Sequence, residues 1–96
     1  MRVHHIALRC SDLQRAEAFW RGVFGLVVLR RDGERAVWLD LDGAALMLER
    51  AAPDEPTPPP GAMDFLALAV TPAERDAFAR RCASQGVRVE HETAWW

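Results

Sequence analysis

His5, near the start of the chain, is the residue whose type and setting offer the most chemistry. On a strand, an imidazole either ligates a metal or hydrogen-bonds a ligand or water. His4 falls on the opposite side of the same strand and reads as structural or exposed. His91 shares a face with Val89 and is a candidate for a cleft or an interface, whereas Glu90 and Glu92 read as solvated. Glu49 ends an apolar run and stands either as a general base or as a solvated strand-end acid. Cys10 and Cys82 have neither CxxC nor zinc-type spacing and are expected as reduced thiols among apolar neighbours. All 12 basic residues are arginine, which we read as the coding bias of a GC-rich bacterial genome. The lack of lysine and tyrosine removes Schiff-base lysine and tyrosine acid–base chemistry.

These groups need elements to hold them. Val3–Cys10 predicts a strand, with Ile6, Leu8 and Cys10 on one face and His5, Ala7 and Arg9 on the other. Ser11 predicts an N-cap with Gln14 as its box partner. Leu13, Ala16, Trp20, Val23 and Phe24 then form a helical apolar stripe that ends at Gly25. Trp20, on that stripe, reads as core. Three strands follow, over 26–31, 35–41 and 44–50, joined by the hairpin signals Asp32-Gly33 and Asp42-Gly43. Three consecutive strands there also separate this pattern from a ferredoxin-like dimeric barrel, which has two. On the last strand, Glu49 shares a face with Ala45 and Met47; on the middle one, Trp38 shares a face with Asp40.

Residues 51–62 hold five of the 6 prolines and predict a surface linker. The pattern then restarts: a strand over 65–70, a helix capped by Thr71 with Pro72 and Glu74, a stop at Gly86, and a strand over 87–93. His5-Ile6-Ala7-Leu8 aligns with Phe65-Leu66-Ala67-Leu68, and Ser11 with Thr71, which argues for a duplicated α+β unit.

Composition narrows the class. With 96 residues, 27% of them charged and a net charge of −2, the chain has room for one domain and no basic face for nucleic acid. No apolar run approaches the ~20 residues a membrane span requires, and the first residues do not read as a signal peptide, so a cytoplasmic protein is expected. Trp95 and Trp96 would need a partner strand or subunit to cover them.

The run His5-Ile6-Ala7-Leu8-x-x-Ser11-Asp12-Leu13, then Phe19-Trp20, Gly25-Leu26 and Leu48-Glu49, and the restart at Phe65, resemble the vicinal oxygen chelate superfamily. That superfamily includes glyoxalase I, bleomycin- and fosfomycin-resistance proteins and extradiol dioxygenases. The resemblance implies an α+β fold of two tandem βαβββ modules whose mixed sheets curve round a cleft. It implies module one at 1–50, the linker at 51–62 and a partial module two at 63–96, lacking its last two strands. It further implies a divalent metal (Zn, Fe, Mn or Ni), with His5 and Glu49 as ligands and Glu49 as catalytic base, and acting as a Lewis acid. Ala7, Arg9, Trp38, Met47 and Phe65 would line the cleft. Phe65 replaces the second module's histidine, Asp64 beside it points to the other face, and only two of four ligand positions are filled. The expectation is therefore a glyoxalase/bleomycin-resistance/dioxygenase-like homodimer that binds a small molecule, metal-free or with an incomplete metal site. The alternative is a divalent-metal-dependent lyase, isomerase or dioxygenase acting on vicinal oxygens.

Overall fold

Alternation of apolar residues shapes the first strand. In the computed structural model β1 (His5–Cys10) is exposed at His5, Ala7 and Arg9 and half-buried at Ile6, Leu8 and Cys10. The structure describes residues 1–56 and 66–89. The helix α1 (Leu13–Gly22) follows, capped by Asp12 and not by Ser11: the Asp12 carboxylate accepts from the Arg15 N–H at 3.0 Å. Both residues are good caps one position apart; β1 ends at Cys10 as expected, and the helix starts after Asp12, leaving Ser11 in the bend before it. Gly25, with φ +70°, closes the end of α1 by donating to the Arg21 carbonyl at 3.0 Å.

Three antiparallel strands complete the βαβββ order: β2 (Val28–Asp32), β3 (Ala36–Asp40) and β4 (Ala45–Arg50). The β3–β4 hairpin is a two-residue turn in which Asp42 and Gly43 both take positive φ, 55° and 97°, closed by Leu41 N–H to Ala44 O at 2.9 Å. A type I′ turn demands that pair of angles, and Asp-Gly tolerates them. The sheet order is β1-β4-β3-β2, with β1 parallel to β4 and every other pair antiparallel, so the sheet is mixed and the fold α+β. The three strands between residues 28 and 50 exclude the two-stranded barrel alternative.

Register fixes which side chains share a face. On the helix side, Ile6, Leu46 and Leu39 form one row and Leu8, Leu48 and Val37 the next. Leu39, Leu46 and Leu48 are fully buried there, and Leu13 and Val23 at the two ends of α1 join that core. Each such leucine is worth about 1.5–3 kcal/mol of transfer free energy. Glu17 of α1 fastens β2 to this layer. Arg31 grips its carboxylate with both guanidinium nitrogens, Nη2 to Oε2 at 2.8 Å, and Arg21 adds a third contact at 3.1 Å.

Hydrogen bonding by Arg31, reinforced by Arg21, holds the Glu17 carboxyl below the usual carboxylate range. The unfolded chain therefore takes up this proton first as pH falls. The pair's contribution is whole above the ordinary glutamate value of about 4.3 and vanishes as pH drops through the lowered folded value. Glu17→Gln should cost about 1 kcal/mol near neutrality and flatten the acid limb of stability. Urea midpoints at pH 6 and pH 3 check this.

The chain divides into two compact units, Met1–Phe65 and Leu66–Trp96. In the second, α2 (Pro72–Ser84) starts as expected: Thr71 and Glu74 exchange backbone and side-chain hydrogen bonds at 3.2 and 2.7 Å, with Pro72 in the first turn. The expected strands on either side of it do not form among the described residues. Residues 66–70 and 87–89 pair with no strand among the described residues, although Leu66 and Leu68 are half-buried and Ala67 and Ala69 exposed. Alternation records burial on one side; a strand also needs a hydrogen-bonded neighbour. Phe65, Asp64, Glu90, His91, Trp95 and Trp96 lie outside the described residues. Both cysteines are free thiols, Cys82 buried and Cys10 half-buried. Burial pushes the Cys10 thiol up, away from the reactive thiolate.

Candidate functional site

The other face of the sheet carries no helix-facing leucines. Its three rows are His5–Ala45–Asp40, Ala7–Met47–Trp38–Arg30, and Arg9–Glu49–Ala36–Asp32. All the first-module residues expected in the cleft, namely His5, Ala7, Arg9, Trp38, Met47 and Glu49, therefore share one surface.

Trp38 is the centre of that surface. It is half-buried, and its ring meets His5 edge-on at 4.8 Å between centroids. The Arg30 guanidinium lies over the indole at 4.8 Å, a cation–π contact. The indole N–H donates to Asp32 Oδ2 at 2.9 Å, and Arg30 Nη2 reaches the same oxygen at 3.2 Å. The Trp38 hydrogen bond, with Arg30 beside it, holds the Asp32 carboxyl below its usual range. Trp38 is thereby locked from three sides, with part of its ring left to solvent.

A hollow of about 500 Å³ opens beside it, bounded by Arg2, His4, Arg30, Trp38, Asp40 and Gly43. Strand alternation would turn His4 away from this face. It lies one residue before β1 begins, so that alternation does not govern it, and its Nδ1 sits 2.8 Å from the His5 Nδ1. Arg30 and Asp32 are the residues that sequence reasoning passes over. Counting back from Trp38 across the β2–β3 turn finds them only when the loop is taken as the three residues Gly33, Glu34 and Arg35.

His5 and Glu49 are not brought together. His5 pairs with Ala45 and Glu49 with Arg9, four residues along, roughly 13 Å by strand rise. Ala7, Ala45 and Met47 lie between them and offer no ligand for a hard cation. The Glu49 carboxylate is occupied by Arg9 at 3.2 Å, and Arg9 also binds Glu55 at 3.0 Å. No group of three His, Cys, Asp or Glu side chains converges on a metal position among the described residues. The described first-module residues thus do not fit a divalent ion of the kind the resemblance implies, since a catalytic zinc commonly takes three protein ligands.

Among the described residues no helix is long and apolar enough to cross a membrane. No curated protein matches the chain. Solved structures do. A lactoylglutathione lyase from Agrobacterium tumefaciens is 30% identical, with a TM-score of 0.71 over 98% of this chain and 77% of that one. The fosfomycin resistance protein FosX from Listeria monocytogenes is 20% identical, with a TM-score of 0.72 over 97% of this chain and 71% of that one. Its E126Q mutant, complexed with Mn(II) and 1S,2S-dihydroxypropylphosphonic acid, is 19% identical, with a TM-score of 0.73 over 98% and 76%. The family model of the Glyoxalase/Bleomycin resistance protein/Dioxygenase superfamily matches residues 2–94, and the chain belongs to that superfamily.

Proposed function

We propose that this chain binds a small molecule on the open face of its sheet, in the hollow beside Trp38, and that the first module does so without a metal of its own. One observation carries this: Trp38 is fixed by His5, Arg30 and Asp32 yet keeps part of its ring exposed over an open hollow. A pre-organised aromatic surface ringed by a few polar groups is what a small-molecule site requires. Separation of His5 from Glu49 supports the metal-free part.

A second reading is a divalent-metal-dependent lyase or isomerase. It draws on the 30% identity to a lactoylglutathione lyase and on the Mn(II) in the FosX mutant complex. In that case His5 and Glu49 would each serve a site completed by other groups. We extend either reading to a homodimer, because among the described residues β1 and β2 are the outer strands of the sheet and open edges invite pairing.

Thermal unfolding with a panel of aromatic carboxylates, phosphonates and thiols, with and without EDTA, separates the two. We expect a ligand-induced rise in Tm that survives EDTA, metal well below one per chain, and a dimeric mass by light scattering. Stoichiometric metal that is lost in His5→Ala, together with ligand shifts abolished by EDTA, would replace the first reading with the second.

A further inference from the structure

The hollow beside Trp38 is lined entirely by residues of the first unit, and its charges are uneven. Two guanidinium residues, Arg2 and Arg30, line it against one carboxylate, Asp40. Asp40 is already engaged, since its Oδ1 accepts the Asp42 backbone N–H at 3.0 Å. Arg30 is likewise engaged, over the Trp38 ring and against Asp32. Arg2 is different: it makes no hydrogen bond or ion pair with any described residue. Arg2, with no partner among the described residues, and Trp38 therefore line the same hollow.

The geometry points to a planar aromatic carboxylate as the ligand class, its ring against Trp38 and its carboxylate on Arg2. This rests on the reading of the hollow as a binding site and adds the ligand's chemistry to it. A guanidinium presents two parallel N–H donors that match the two oxygens of a carboxylate. An aromatic ring prefers an offset or edge-on approach to another ring. A hollow of about 500 Å³ suits a ligand of one or two fused rings. A cationic ligand would meet the Arg2 guanidinium with like charge, and a small non-aromatic anion would make no use of the Trp38 ring.

The test is isothermal titration of the whole chain with 2-naphthoate, 2-naphthamide and methylphosphonate. We expect 2-naphthoate to bind at least about tenfold more tightly than the amide, which has the ring without the charge. We expect methylphosphonate, which has charge without ring, to be weaker still. Arg2→Gln should bring 2-naphthoate down to the amide's affinity and leave the amide unchanged. Arg2 is exposed and precedes the first strand, so the variant should unfold at the same temperature as the parent. Equal binding of acid and amide, or no effect of Arg2→Gln, would overturn the anion inference while leaving the hollow as a site. Methylphosphonate binding as tightly as 2-naphthoate would overturn the aromatic part. If none of the three binds at millimolar concentration, the inference falls together with the reading beneath it.

Discussion

Leu48→Ala should lower stability by about 3 kcal/mol, within the 2–5 kcal/mol seen when a fully buried leucine is cut back. Leu48 has 0% exposure and lies in the central strand β4, between Leu8 on β1 and Val37 on β3. Three strands meet at this side chain, so the gap it leaves cannot be closed by one neighbour moving. For a domain of this size each kcal/mol moves Tm by about 4–8 °C, so a fall on the order of 15 °C is expected. The adjacent Met47→Ala is the control. Met47 is half-buried and belongs to the opposite face, and its loss should cost less than about 1.5 kcal/mol. Thermal and urea unfolding of the two variants reads the faces of the sheet directly. Equal losses would mean that β4 does not present Leu48 to the core and Met47 to the open side.

Features governed by neighbouring residues are legible in the sequence. The period-two pattern of β1 and the Thr71–Glu74 box need nothing beyond local chemistry. The Asp42-Gly43 turn is equally local, because few residue pairs accept two positive φ angles in succession. The Ser11/Asp12 slip marks the limit of such signals: two adjacent caps of similar strength, which local chemistry alone does not rank.

Features governed by pairing are not legible in this way. His5 and Glu49 fall on one face by parity alone, and parity is all a single strand reveals. Their separation depends on the β1–β4 register, set between strands some 40 residues apart in sequence by which leucines share a row. The same holds for residues 66–70, whose alternation is real but finds no ladder among the described residues. Arg30 and Asp32 are within reach of sequence, since they and Trp38 face each other across one short turn. The difference between a two- and a three-residue loop moves the register by enough to hide them. Consequently the site legible in sequence centres on the ends of the sheet, at His5 and Glu49, whereas the surroundings of Trp38 concentrate polar contacts near its middle.

Trp38→Ala should then have the largest effect on ligand binding of any single substitution on this face. The ring offers its exposed side to the ligand while His5, Arg30 and Asp32 hold it still, so little freedom is lost when a ligand stacks. Removing the ring forfeits roughly 60 Å² of apolar contact and the ring–ring term, together about 2–3 kcal/mol, or about thirty- to 150-fold in Kd for 2-naphthoate. It also releases Arg30 and Asp32 from a shared anchor. Trp38→Phe separates these roles. Phenylalanine keeps an aromatic face but cannot donate to Asp32, so binding should weaken by no more than about fivefold. At the same time the Asp32 carboxyl should rise back toward its ordinary value, because the indole N–H is the main group holding it down. Calorimetric titration of the two variants and carboxyl titration by NMR give both readouts, with thermal unfolding as the check that each variant is folded. Undiminished 2-naphthoate affinity in a folded Trp38→Ala protein would remove this face from consideration as the binding site. An unmoved Asp32 in Trp38→Phe would show that the neighbouring arginines, Arg30 and Arg35, set that carboxylate, leaving the indole as a stacking surface without a role in its electrostatics.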